Sequence, residues 1–228
     1  RGRNRVHVYS PADREMYALR HSVEWAPRIR AALKQENFIL EFQPIYSLKE
    51  KKINHYECLI RMRGQGDKLY YPHDFIPVAE AMGLIHQIDL WVVNHAFELL
   101  RNVPGDTALA VNLSGNIFLD KNLYPLVERK LLETGADPSR LVFEITETSA
   151  ISNFEQTKQM VDRLRNLGCR FALDDFGAGF NSYSYLKHFP VDILKIDGGF
   201  ITNLHNDPVD QLLVKSMIDI SHSLGKKT

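Results

Sequence analysis

The chain has 228 residues, 44% hydrophobic and 25% charged, which is ordinary globular material with enough apolar residues for a sizeable core. Lys and Arg total 28 against 28 Asp and Glu, so no global charge points to a nucleic-acid polymer or a membrane surface. Its two cysteines, Cys58 and Cys169, match no zinc or redox spacing and read as small core residues suited to a reducing cytoplasm. No apolar run approaches the roughly 18 residues that span a bilayer, and "RGRNRVHVYS" is not a signal peptide. A membrane tether, if present, would lie elsewhere in a parent protein.

Helical periodicity opens the chain over 12–35, with Pro27 expected to break that helix in two. Strands follow at 38–48 and 54–62, joined by a polar link too short for a parallel crossover, so they should be antiparallel. Helices over 72–82 and 87–102 lead to a strand at 108–114. A helix over 121–135 leads to a strand at 141–147, and a helix over 153–168 to a strand at 170–175. A sixth strand over 193–197 precedes a helix over 207–225, which starts at Asp207–Pro208 and stops at Gly225. The alternation predicts an α/β fold, a TIM-like (β/α)8 barrel whose first strand is antiparallel. Closure takes about eight strands, so a barrel lacking its last strands is the expectation.

Reactive groups of such a barrel sit at the carboxyl ends of its strands. Here each apolar strand body stops at an oxygen-bearing residue. The second strand offers Glu57, the third Asn112, the fourth Glu144 and Glu147, the fifth Asp174 and Asp175, and the sixth Lys195 and Asp197. Taken singly, Asp175 before "FGAG" reads as a cap. Glu57 is harder to dismiss, because an unpaired carboxylate inside an apolar strand is costly. Acidic ends on so many separate strands point to one shared site.

Carboxylates with one amide and no His or Cys form a hard-oxygen donor set that suits Mg2+ or Mn2+. The adjacent Asp174 and Asp175 can serve two ions, one residue bridging them and the other terminal. Lys195, protonated, is no ligand; it can orient a nucleophile or meet phosphate. Two hard cations and a lysine suggest displacement at phosphorus.

The segments "FQPIYSL", "YECLIR", "VNLS", "FEITET" and "DDFGAGFNSYSYLKHFPVDILKIDGGFI" resemble, in order and spacing, the EAL-domain family. The similarity covers roughly residues 20–228, within an expected domain over 11–228. The resemblance implies hydrolysis of cyclic di-GMP to linear pGpG with two ions, Mg2+ or Mn2+. It implies that Glu57, Asn112, Glu144 and Asp174 are metal ligands, that Asp175 holds the second ion, and that Lys195 positions the attacking water. Glu147 would steady the loop 176–183, through which a homodimer is implied. Arg61 would contact substrate phosphate, Leu59 would pack on guanine, and Gln43 would line the pocket, with Asp197 a further substrate contact. Cys58 stands where the family motif usually has Ala. A further Glu in a seventh strand and a Gln near the eighth would lie beyond Thr228. The segment 1–10 resembles the close of a GGDEF domain, implying a tandem GGDEF–EAL parent.

Two rivals follow. One is a non-catalytic cyclic di-GMP receptor; the other is a barrel that stabilises an enolate, with Lys195 as base. A protein-kinase reading of "DFG" fails for want of a Gly-rich phosphate loop.

Overall fold

A computed structural model describes residues 14–103, 105–179 and 183–228, the side chains of 14–22 and 183 excepted. The GGDEF-like segment 1–10 and the middle of the expected dimer loop, 180–182, lie outside the described residues. The chain divides into two compact units, one running to Ile39 and including Ile60–Ile88, the other Leu40–Leu59 with Asp89–Thr228.

The smaller unit contains α1 (Arg14–Lys34), β3 (Leu69–Tyr70) and α2 (Pro72–Ala81). Pro27 does not break α1: the helix is continuous, and this corrects the sequence expectation. The apolar stripe of Trp25, Ala26, Ile29 and Ala32 is buried, whereas Pro27 sits on the exposed face. On that side water can take the carbonyl that proline leaves without a donor, while packing on the other face offsets the lost bond. Phe38 packs on Phe75 of α2 at 5.6 Å, and Trp25 meets the Tyr70 ring edge-on at 4.8 Å. The strand β3 pairs antiparallel with Met62 and Arg63, a pairing too short to register as periodicity.

The larger unit carries the sheet. Its strands are β1 (Phe38–Ser47), β2 (Lys52–Arg63), β4 (Ala108–Asn112), β5 (Leu141–Thr146), β6 (Arg170–Phe176) and β7 (Ile193–Ile196), adjacent in that order, with the ends of β1 and β2 reaching into the smaller unit. β1 and β2 are neighbours joined by a four-residue turn, a connection only an antiparallel pair makes. From β2 onward every pair along this path is parallel. This is the α/β, TIM-like arrangement that the alternating pattern predicts. The helices are α3 (Ile85–Leu100), whose first turn lies in the smaller unit, α4 (Leu123–Thr134), α5 (Glu147–Ser152), α6 (Phe154–Asn166), α7 (Gly198–Ile201) and α8 (Pro208–Ser223). The short α5 and α7 escape periodicity because neither is long enough to show one. Lys227 pairs parallel with Ile193, at the position beside β7.

Strands β4, β5 and β6 are buried on both faces, which is why they read as near-continuous apolar runs. On one face Phe143 packs on Phe171 at 5.4 Å, and Phe118 tilts against Phe171 at 6.2 Å. On the other, Ala110, Val142 and Ala172 form a fully buried layer joined by Ile193. Side chains alternate with a period of two, so two residues further along, that same face carries Asn112, Glu144, Asp174 and Lys195. The small apolar layer is the floor on which the polar ends stand.

Burial pushes the Cys58 and Cys169 thiols up to about 12, so neither is a reactive thiolate at neutral pH. No helix among the described residues is long and apolar enough to cross a membrane.

Candidate active site

Lys195 is the hub of the polar cluster. Its ammonium donates to Glu144 Oε2 at 2.6 Å, Asp174 Oδ2 at 3.0 Å and Glu57 Oε2 at 3.2 Å. Four strands, β2, β5, β6 and β7, therefore place one side chain each within hydrogen-bond reach of a single point. Asn112, from β4, joins by donating its amide to Glu57 Oε1 at 2.7 Å.

The electrostatics follow from burial. The Glu144 side chain is 1% exposed and that of Lys195 is 25% exposed. Burial pushes Glu144 up to about 7; Lys195 opposes the rise, while Glu57 and Asp174 add to it. Burial also pulls on Lys195, but Glu144, Asp174 and Glu57 outweigh it and hold its proton more tightly than an ordinary lysine does. The ammonium is a fixed positive charge here, not a base.

Asp175 is set apart by the backbone. In a regular strand, Asp174 and Asp175 would point to opposite faces. The β6–β7 register shifts between Leu173 and Phe176, and Asp175 has φ +54°. A bulge of this kind re-aims a side chain at a strand end, and aspartate tolerates the left-handed conformation better than most residues. Burial, then the charges of Asp174 and Asp197, raise the Asp175 carboxyl. Asp197 itself caps α7 by accepting from the Gly199 N–H at 2.8 Å.

Glu147 does not reach Lys195 by hydrogen bond. It is 3% exposed and accepts from the Gly177 N–H at 3.0 Å and from the Tyr185 hydroxyl at 2.8 Å. Those bonds brace the chain just beyond the Asp174–Asp175 bulge. Gly177 has φ +96°, a backbone conformation strained for any residue with a Cβ, so the brace closes on a position that favours glycine. Tyr185 was not legible as a partner, because nothing in "SYSYLKHF" marks one tyrosine over another.

Of the remaining expected contacts, Gln43 is exposed on β1 and Leu59 half-buried on β2. Arg61 belongs to the smaller unit. There it is buried, donates to the Ile60 carbonyl at 2.9 Å and lies 4.8 Å from the centre of the Tyr71 ring.

Among the described residues, no three His, Cys, Asp or Glu side chains enclose a ready-made metal position. The carboxylates turn to Lys195 instead. The donor set nevertheless fits a hard divalent cation: every candidate donor is oxygen, and three carboxylates face one ammonium. That excess of negative charge in a partly buried place is what a dication would neutralise.

The EAL domain model matches residues 26–228. The chain belongs to the EAL domain family. The EAL chain is 36% identical over 232 aligned residues to the cyclic di-GMP phosphodiesterase PdeB of Shewanella oneidensis, covering all of this chain and 27% of that protein. It spans about a quarter of the length of the curated relatives it matches. The solved PaMucR phosphodiesterase in complex with c-di-GMP superimposes with a TM-score of 0.82 at 32% identity, covering 89% of this chain and 84% of that one. The FimX EAL domain from Pseudomonas aeruginosa bound to c-di-GMP gives 0.82 at 33% identity, covering 89% and 83%.

Proposed function

We propose that this EAL domain cleaves one phosphodiester bond of cyclic di-GMP, releasing linear pGpG. The convergence of the Glu57, Glu144 and Asp174 carboxylates on the Lys195 ammonium is the observation that carries this reading. Similarity to proteins named as cyclic di-GMP phosphodiesterases supports the substrate.

Glu57, Asn112, Glu144 and Asp174 would hold a magnesium or manganese ion, and Asp174 with Asp175 a second. Bound there, divalent cations supply Lewis-acid charge at phosphorus and a nucleophile at neutral pH. Asn112 would turn its amide oxygen, not its nitrogen, toward the site. Lys195 keeps its protons, so it serves by donating: its Nζ orients the attacking water and opposes the charge that builds on the phosphoryl oxygens. The water oxygen joins phosphorus, and the 3′ oxygen leaves as a hydroxyl. Glu147 acts at one remove, holding the chain after Asp175 through Gly177. Gln43 and Leu59 on β1 and β2, with Asp197 at the end of β7, are the proposed substrate contacts of the same unit.

The test uses the full-length protein with cyclic di-GMP and either Mg2+ or Mn2+, products being resolved by chromatography and mass. The expected product is pGpG. Glu57→Gln should slow its formation by about 10²–10³-fold, because a weaker hold on the cation would forfeit the positive charge that opposes the negative charge building at phosphorus. Tight nucleotide binding with no product would favour the receptor reading, and no nucleotide binding the enolate reading.

A further inference from the structure

We propose that Asp89, on α3, is a positioning residue that acts through Ser114 to hold Asn112 in the site. The inference rests on the reading of Asn112 as a metal-site amide. Asp89 is 3% exposed. Burying a carboxylate is costly unless its oxygens are satisfied, and a neutral apolar residue would pack a helix without that cost. Its oxygens meet one residue twice: Oδ2 accepts from the Ser114 hydroxyl at 2.5 Å and Oδ1 from the Ser114 N–H at 3.2 Å.

Ser114 lies two residues past Asn112, where β4 ends and the 3-10 turn 115–119 begins. The backbone between is also pinned to β5, since the Leu113 N–H donates to the Glu144 carbonyl at 2.9 Å. Gly115 closes the clamp: a Cβ there would lie 2.6 Å from Ser149 Cβ, so the loop has no room to shift toward α5. Asn112 is thus held by β5 through Leu113 and by α3 through Ser114. Asn112 is exposed at the end of the strand, where its amide bonds to Glu57 Oε1 at 2.7 Å but is not enclosed by packing, so the backbone beneath it sets its position. Groups that orient a ligand in this way are worth about 10–100-fold in metal affinity or activity.

The experiment is a double-mutant cycle on the full-length protein, with manganese affinity read by electron paramagnetic resonance using the metal alone. Asp89→Ala should weaken manganese binding about 10–100-fold while the folded fraction, followed by circular dichroism, stays in place. Asp89→Asn should recover most of that loss, because the amide oxygen still accepts from the Ser114 N–H and its NH2 can donate to the hydroxyl oxygen. In an Asn112→Ala background, the Asp89→Ala change should cost little more, since its effect passes through the missing side chain. Full additivity in that background, or wild-type affinity in Asp89→Ala, overturns the proposal. If Asn112→Ala alone binds manganese as the wild type does, the reading of Asn112 has failed and the proposal falls with it, by a different signature. Should Asp89→Ala not fold, Ser114→Ala carries the same cycle and must show the same dependence on Asn112.

Discussion

Replacing Lys195 by Met should destabilise the metal-free protein and nearly abolish turnover, and manganese should restore the stability but not the rate. In the wild type one ammonium satisfies Glu57, Glu144 and Asp174. Without it, three carboxylates face one another, one of them almost wholly buried. Removing one partner of a buried ion pair costs about 3–5 kcal/mol, and the 25% exposure of the Lys195 side chain argues for the lower end, about 3 kcal/mol. A dication entering the vacated centre would supply more than the lost charge, so added Mn2+ should recover stability beyond its effect on the wild type. Turnover should stay low by about 10²–10³-fold, because a fixed donor aimed at the developing charge is gone. Urea titrations with and without manganese, alongside turnover, separate the two effects. A variant as stable and as active as the wild type would show that the lysine is a bystander.

The second large effect is one of pH. Glu144 is pushed from 4.5 up to about 7 by burial. Between those values the folded, metal-free protein holds a proton that the unfolded chain has released. The unfolded state then binds fewer protons, so stability falls as pH rises from about 4.5 to 7 and levels off above. A shift of this size corresponds to roughly 3 kcal/mol. Glu144→Gln cannot ionise, so the difference in unfolding free energy between variant and wild type should grow in the variant's favour over that window. Chemical denaturation in chelator at pH 4.5, 6 and 8 measures it. A difference independent of pH would mean that Lys195 keeps Glu144 ionised throughout.

The polar strand ends were legible because an apolar body stops at each of them, as "ALAV" stops at Asn112 and "FAL" at Asp174. That grammar survives in the structure as the face above the buried Ala110–Val142–Ala172 layer. The direction of the contacts was not legible. Sequence spacing put Lys195 near the carboxylates, but three bonds to one ammonium depend on how four strands are staggered. The pairing of Asp174 with Asp175 misleads by itself, because in a regular strand they would diverge; only the bulge and the positive φ at Asp175 alter that. Pro27 was misread because its local cost is visible in sequence while the buried stripe that offsets it lies on the other face of α1. Asp89 gave no signal at all. It is an acidic residue within an amphipathic helix, a setting in which most such residues face water, and its partner lies 25 residues away.

Crystals grown with manganese and cyclic di-GMP, measured at the manganese edge, test the central claim most directly. Anomalous peaks among the oxygens of Glu57, Asn112, Glu144 and Asp174 are the expected result, with Asp175 turned to a second peak. Ordered nucleotide in the presence of manganese, with the three carboxylates still closed on Lys195 and no anomalous density between them, would contradict it.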